Sequence, residues 1–156
     1  MGVLRHVPRP VPPVVLHGGL WRRGGGPHGP RSSSHLTHYG PAMDEIGRGA
    51  KVFDHAPVRG RFLPMEGPDD VLALMDSGAD GVVALVRDAG ATFLAPIYDE
   101  LTAIICTSGT VRSHIGIVSR EFQVPCAMAC AFPDGEPASG TEVELDCTGG
   151  EAIVRA

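Results

Sequence analysis

Residues 104–131 read IICTSGTVRSHIGIVSREFQVPCAMACA, and their order sets the fold class. Residues 102–107 (TAIICT) are a short apolar run of the kind that forms a strand buried on both faces. A loop of small and hydroxyl residues follows. Residues 113–123 (SHIGIVSREFQ) repeat their apolar side chains at helical spacing and stop before Pro125, since a residue preceding proline is steered out of the helical region. Residues 126–130 (CAMAC) return to an apolar strand.

The alternation continues outward. Upstream, residues 81–87 (GVVALVR) read as a second buried strand. Residues 67–80 (GPDDVLALMDSGAD) read as a helix: Pro68 sits early, Asp69 and Asp70 favour the first turn, and Gly78 stops it. Short strands are expected at residues 49–55 and 60–64, and a short helix at residues 96–101. Downstream, residues 142–147 (EVELDC) and 151–156 (EAIVRA) form a hairpin about the turn Thr148-Gly149-Gly150. Strands alternating with helices predict an α/β domain built in three layers.

Composition narrows the remaining possibilities. The chain is 43% hydrophobic but only 5% aromatic, so its core must rest on Val, Ile, Leu and Ala. No apolar run approaches the roughly 20 residues that span a bilayer, and the N-terminus lacks the pattern of a secretory signal. A cytoplasmic protein without membrane attachment is the expectation. Cys106, Cys126, Cys130 and Cys147 show no paired CxxC spacing, which predicts reduced, buried thiols and no metal site. Residues 1–42 carry Arg5, Arg9, Arg22, Arg23 and Arg31 and no acid. Removing those five charges from the net −5 leaves −10 for residues 43–156, an acidic domain unsuited to nucleic acid. Dense in Pro, Gly, Arg and Ser, residues 1–42 predict a disordered extension. Met43 opens ordinary composition, and translation starting at Met43 is one expectation that the shift raises.

Chemistry concentrates at residues 106–114. A strand-to-helix junction makes an anion site: Gly109 allows close backbone approach, first-turn N–H groups are unpaired, and the helix dipole is positive there. Ser113 fits the N-cap position, placing His114 in the first turn. Arg112 adds a planar cation suited to phosphate oxygens. A neutral imidazole is a competent nucleophile near neutral pH. Local chemistry leaves a second reading open, in which His114 caps the helix or bonds a neighbouring strand.

Taken together, these residues resemble the signature of the mobile phosphohistidine domain of PEP-utilising enzymes, the family of PEP synthase, pyruvate phosphate dikinase and rifampicin phosphotransferase. Gly109, Ser113, His114, Ile117, Val118, Arg120, Glu121 and Pro125 stand in the register of its Gly-Gly, Ser-His and IVARE-like elements. The ending GTEVELDCTGGEAIV is similar to the family's closing hairpin. Three positions depart: Cys106 replaces a Thr, Thr110 the second Gly, and Gly116 an Ala. The resemblance implies a β/β/α swivelling domain over residues 43–156. His114 would be the phosphoryl carrier, with Gly109, Thr110, Arg112 and Ser113 as its cradle and Thr107, Ser108, Arg120 and Glu121 as possible support. It implies an ATP-grasp partner and an acceptor or PEP/pyruvate-binding subunit, with Mg2+ and ATP or PEP held there and no cofactor here. A non-catalytic swivelling module that docks to an enzyme is the alternative, and an isomerase-type small subunit a third. Ser113 and His114 do not make a hydrolase pair, because adjacent residues rarely aim at each other. Asp99, Glu100, His55 and the tail histidines His6, His17, His28, His35 and His38 suit surface positions better than catalytic ones.

Overall fold

The computed structural model describes residues 42–156; the expectation of disorder in the N-terminal extension falls outside the described residues. Seven strands, two α-helices and a 3₁₀ turn follow one another as β1 (Glu45–Lys51), β2 (His55–Pro64), α1 (Pro68–Ser77), β3 (Val82–Val86), the 3₁₀ turn (Ala95–Ile97), β4 (Ala103–Cys106), α2 (His114–Phe122), β5 (Cys126–Ala131), β6 (Glu142–Cys147) and β7 (Ala152–Arg155). The α/β class expected from the alternation is present. Its first strand begins four residues earlier than position 49, and the short helix tightens to three residues.

The three-layer arrangement needs correction, because the strands close into a barrel in the order β1-β5-β4-β3-β2-β6-β7. β1 is the closing piece: it pairs antiparallel with β5 on one side and with β7 on the other. The C-terminal hairpin is therefore not a separate layer, since β6 also pairs with β2. Neither sheet edge is left open among the described strands, which removes the unpaired backbone groups an open edge exposes.

β2, β3, β4 and β5 run parallel, so the loops after them gather at one end of the barrel. β3 is buried at every residue, and its side chains alternate between two cores. Val83 and Leu85 point to the barrel interior with Phe62, Ile105, Leu145 and Val154. Val82, Ala84 and Val86 face outward beneath Val71 and Leu74 of α1 and Ile115 of α2. That double burial explains why this strand shows continuous apolar residues rather than alternation.

Local chemistry sets the boundaries. The Asp70 carboxylate accepts the Gly67 N–H at 3.1 Å and the Glu66 N–H at 2.7 Å at the start of α1. Gly78 ends that helix at φ 89°. In the closing hairpin the Thr148 hydroxyl and amide, aided by Arg155, hold the Asp146 carboxyl below its ordinary range. Among the described residues no helix is long and apolar enough to cross a membrane.

All four cysteines are free and buried. Burial pushes the Cys126 and Cys130 thiols up to about 12 and Cys147 up to about 11. The thiolate is the reactive form, so the folded chain should react with a disulfide reagent about tenfold or more slower than the denatured chain at about pH 8. Equal rates in a stopped-flow comparison would show that the barrel opens freely.

Candidate functional site

The loop from β4 to α2 lies at the barrel end where the parallel strands finish, the position at which open α/β sheets bind ligands. Its shape comes from a set of internal hydrogen bonds. Ser108 Oγ donates to Arg87 O at 2.7 Å and accepts from Ala89 N at 3.2 Å. These bonds tie the start of the loop to the segment following β3. The Thr107 N–H donates to Val86 O at 3.1 Å.

Gly109 sits at φ 72°, a left-handed conformation that favours glycine. Space demands glycine as well, since a Cβ there would overlap Ala89 Cβ and come within 2.7 Å of Ser113 Oγ. From Thr110 the chain makes a tight turn. The Ser113 N–H donates to Thr110 O at 2.9 Å, and the Thr110 N–H donates to Ser113 Oγ at 3.0 Å. Thr110 Oγ1 accepts the Arg112 N–H at 3.2 Å.

Ser113 occupies the N-cap position with extended backbone, φ −71° and ψ 165°, and His114 is the first residue of α2. The Ser113 hydroxyl makes no capping bond to the helix and accepts the Thr110 amide instead. Free amides at the first turn are fewer than the sequence suggests. The Ile115 N–H donates to Ala89 O at 3.1 Å, and the Ile117 N–H to Ser113 O at 3.0 Å. His114 is exposed, and its ring has no hydrogen-bond partner among the described residues.

Arg112 is also exposed. It and Arg61 are the two arginines in no ion pair and no side-chain hydrogen bond among the described residues. The others are engaged: Arg87 with Glu66 and Glu136, Arg155 with Glu144 and Asp146, Arg48 with Glu45, Arg59 with Glu144, and Arg120 with a backbone carbonyl. A free guanidinium two residues from an exposed imidazole, in a domain of net negative charge, leaves that cation available to an anion.

Gly109, Thr110, Arg112, Ser113 and His114 are thus brought together in one turn. Arg120 and Glu121 stand apart, about 9–10.5 Å further along the helix axis. Arg120 Nη2 donates to Val52 O at 3.0 Å, fastening the far end of α2 to the β1–β2 turn; Glu121 is exposed. Ser108 has its proton committed to Arg87 O, which makes it a staple of the loop.

Sequence reasoning missed Ala89, Tyr98 and Ser119. Tyr98, just past the 3₁₀ turn, is buried and donates to Ile115 O at 3.0 Å; its oxygen lies 3.0 Å from Ser119 Oγ. Ser119 is four residues after Ile115, on the buried helix face, and a hydroxyl there was the available signal. Gly116 has a packing reason: a Cβ would meet Val111 O at 2.6 Å, so glycine lets the loop lie against the helix. Among the described residues, no three His, Cys, Asp or Glu side chains are grouped to hold a metal ion.

Comparison with known families adds one match: the family described as PEP-utilising enzyme, mobile domain, over residues 68–150, more than half of the chain. No curated protein matches the sequence.

The Gly116 contact sets two effects against each other. Helix propensity favours Gly116→Ala by about 1 kcal/mol, whereas forcing a methyl into filled space costs about 1–3 kcal/mol. The variant should be less stable by about 1 kcal/mol, read as a lowered urea midpoint. A raised midpoint would show that the 110–112 loop yields without cost.

Proposed function

The chain belongs to the mobile-domain family of PEP-utilising enzymes, which serves phosphoryl transfer, and from that premise we propose that it is a phosphohistidine carrier. In this reading it is one component of a multi-subunit phosphotransferase. His114 takes a phosphoryl group from an ATP- or PEP-binding partner and relays it to an acceptor.

The observation that supports this most is the exposed His114 ring at the first residue of α2, with the free Arg112 guanidinium two residues away. The ring nitrogen bearing the lone pair attacks phosphorus. An N–P bond forms, the donor's P–O bond breaks, and the electron pair leaves with the donor oxygen. On delivery an acceptor oxygen attacks the same phosphorus and the ring nitrogen departs. Arg112 and the positive end of α2 offset the charge on the carried group. The Thr110 and Ser113 hydroxyls accept backbone N–H groups, which leaves their own protons to donate to phosphate oxygens.

ATP or PEP and its Mg2+ belong to partners, an ATP-grasp nucleotide-binding protein and an acceptor or PEP/pyruvate-binding subunit. Shuttling between them calls for modest interfaces and rotation of the domain as a body. The second reading, a non-catalytic docking module, draws on the Thr110, Arg112 and Ser113 amides being spent inside the loop.

Incubation with an ATP-grasp partner and labelled ATP separates the two readings. The wild-type chain should take up acid-labile, base-stable label, and His114→Ala none. Arg112→Ala should slow single-turnover labelling about 10- to 100-fold, the loss of a charge-assisted hydrogen bond. Equal labelling of wild type and His114→Ala would contradict the assignment.

A further inference from the structure

We propose that Tyr98 and Ser119 form a buried hydroxyl pair that positions His114 by fixing the roll of α2. The inference rests on the carrier reading only for its consequence in phosphoryl transfer; the pinning itself is a statement about the helix.

A nine-residue helix has little stability of its own, and its first turn lacks intrahelical bonds to its N–H groups. Contacts from outside must set its direction and roll. Both peptide groups of Ile115 are held in this way: the N–H donates to Ala89 O at 3.1 Å, and the carbonyl accepts from Tyr98 at 3.0 Å. Ile115 is fully buried, so its side chain resists the same rotation.

Proton bookkeeping fixes the direction of the hydroxyl pair. The one proton of Tyr98 goes to Ile115 O, so Ser119 donates to the Tyr98 oxygen. A helical serine ordinarily returns its proton to the carbonyl four residues back, which here is Ile115 O. Tyr98 takes that place, tying α2 to the 3₁₀ turn. Its ring also lies against Phe122, centroids 5.5 Å apart. Tyr98 therefore runs along Ile115, Ser119 and Phe122, one face of α2 from first turn to last. Burial pushes the Tyr98 hydroxyl above its usual range, which keeps the donor protonated.

His114 precedes Ile115 by one residue, about 100° around the helix. A roll of α2 would change the direction of its ring relative to Thr110 and Arg112, which belong to a loop tied to the segment after β3 through Ser108. Tyr98 and Ser119 touch neither the ring nor any phosphate, so they act through the helix.

The test compares the full chain with Tyr98→Phe, Ser119→Ala and the double variant. Amide hydrogen exchange of residues 114–117 should rise about tenfold or more in Tyr98→Phe, which loses both the bond to Ile115 O and the one from Ser119, with β3 amides unchanged. The double variant should match Tyr98→Phe, because both bonds pass through the Tyr98 oxygen. In the partner assay kcat for phosphorylation should fall about tenfold with KM for the partner unchanged. Unchanged exchange at residues 114–117, or a uniform rise including β3, would overturn the proposal. Should Tyr98→Phe fail to fold, Ser119→Ala, which loses only the bond to Tyr98, should raise the same exchange by a smaller factor, and no rise would overturn the proposal. Faster local exchange in a chain that never accepts phosphate would uphold the pinning while removing the carrier reading.

Discussion

The constraint on which this molecule depends is the anchoring of Ile115, whose amide, carbonyl and side chain are each held from outside its own helix. Helix starts fray because nothing within the helix satisfies their first amides. Here Ala89 and Tyr98 supply the missing partners, and the barrel wall supplies the apolar contact. A residue that must be both exposed and oriented gains from a neighbour that is neither. His114 reaches solvent because Ile115 does not.

The loop before the helix is governed by the same economy. Gly109 is squeezed between Ala89 and Ser113, and Thr110 and Ser113 exchange hydrogen bonds across a single turn. Thr110, standing where the family has a second glycine, spends its amide and its hydroxyl oxygen inside the loop. Among the described residues the Thr110 and Ser113 hydroxyl protons and the Arg112 guanidinium have no acceptor inside the loop. Phosphate held there would rely more on side-chain donors and less on backbone amides, with the helix dipole adding a modest attraction. In a domain of net negative charge, that unpaired cation can attract an anion.

Much of this was legible in the sequence, for local reasons. β3 and β4 announced themselves as unbroken apolar runs because both faces are covered. Pro68 and Gly78 bracket α1 through the dihedral angles they favour, and the Ser113-His114 junction marks the start of α2. Barrel closure was not legible, since it depends on β1 finding β5 and β7, pairings between residues about 80 and about 105 positions apart that carry no short-range signal. The supporting side of the site was hidden for the same reason. Ala89 and Tyr98 meet α2 only in three dimensions, and nothing in their own segments marks them as partners of Ile115. Gly116, which the sequence marks only as a departure from the family's alanine, is where the loop packs against the helix.

The central claim is that a phosphoryl group rides on one imidazole, and the most direct measurement is its location. The chain phosphorylated by its partner and fragmented under alkaline conditions should carry a single phosphoryl group, on the His114 ring. Phosphate found on Ser113, on Thr110 or on a different histidine would contradict the account.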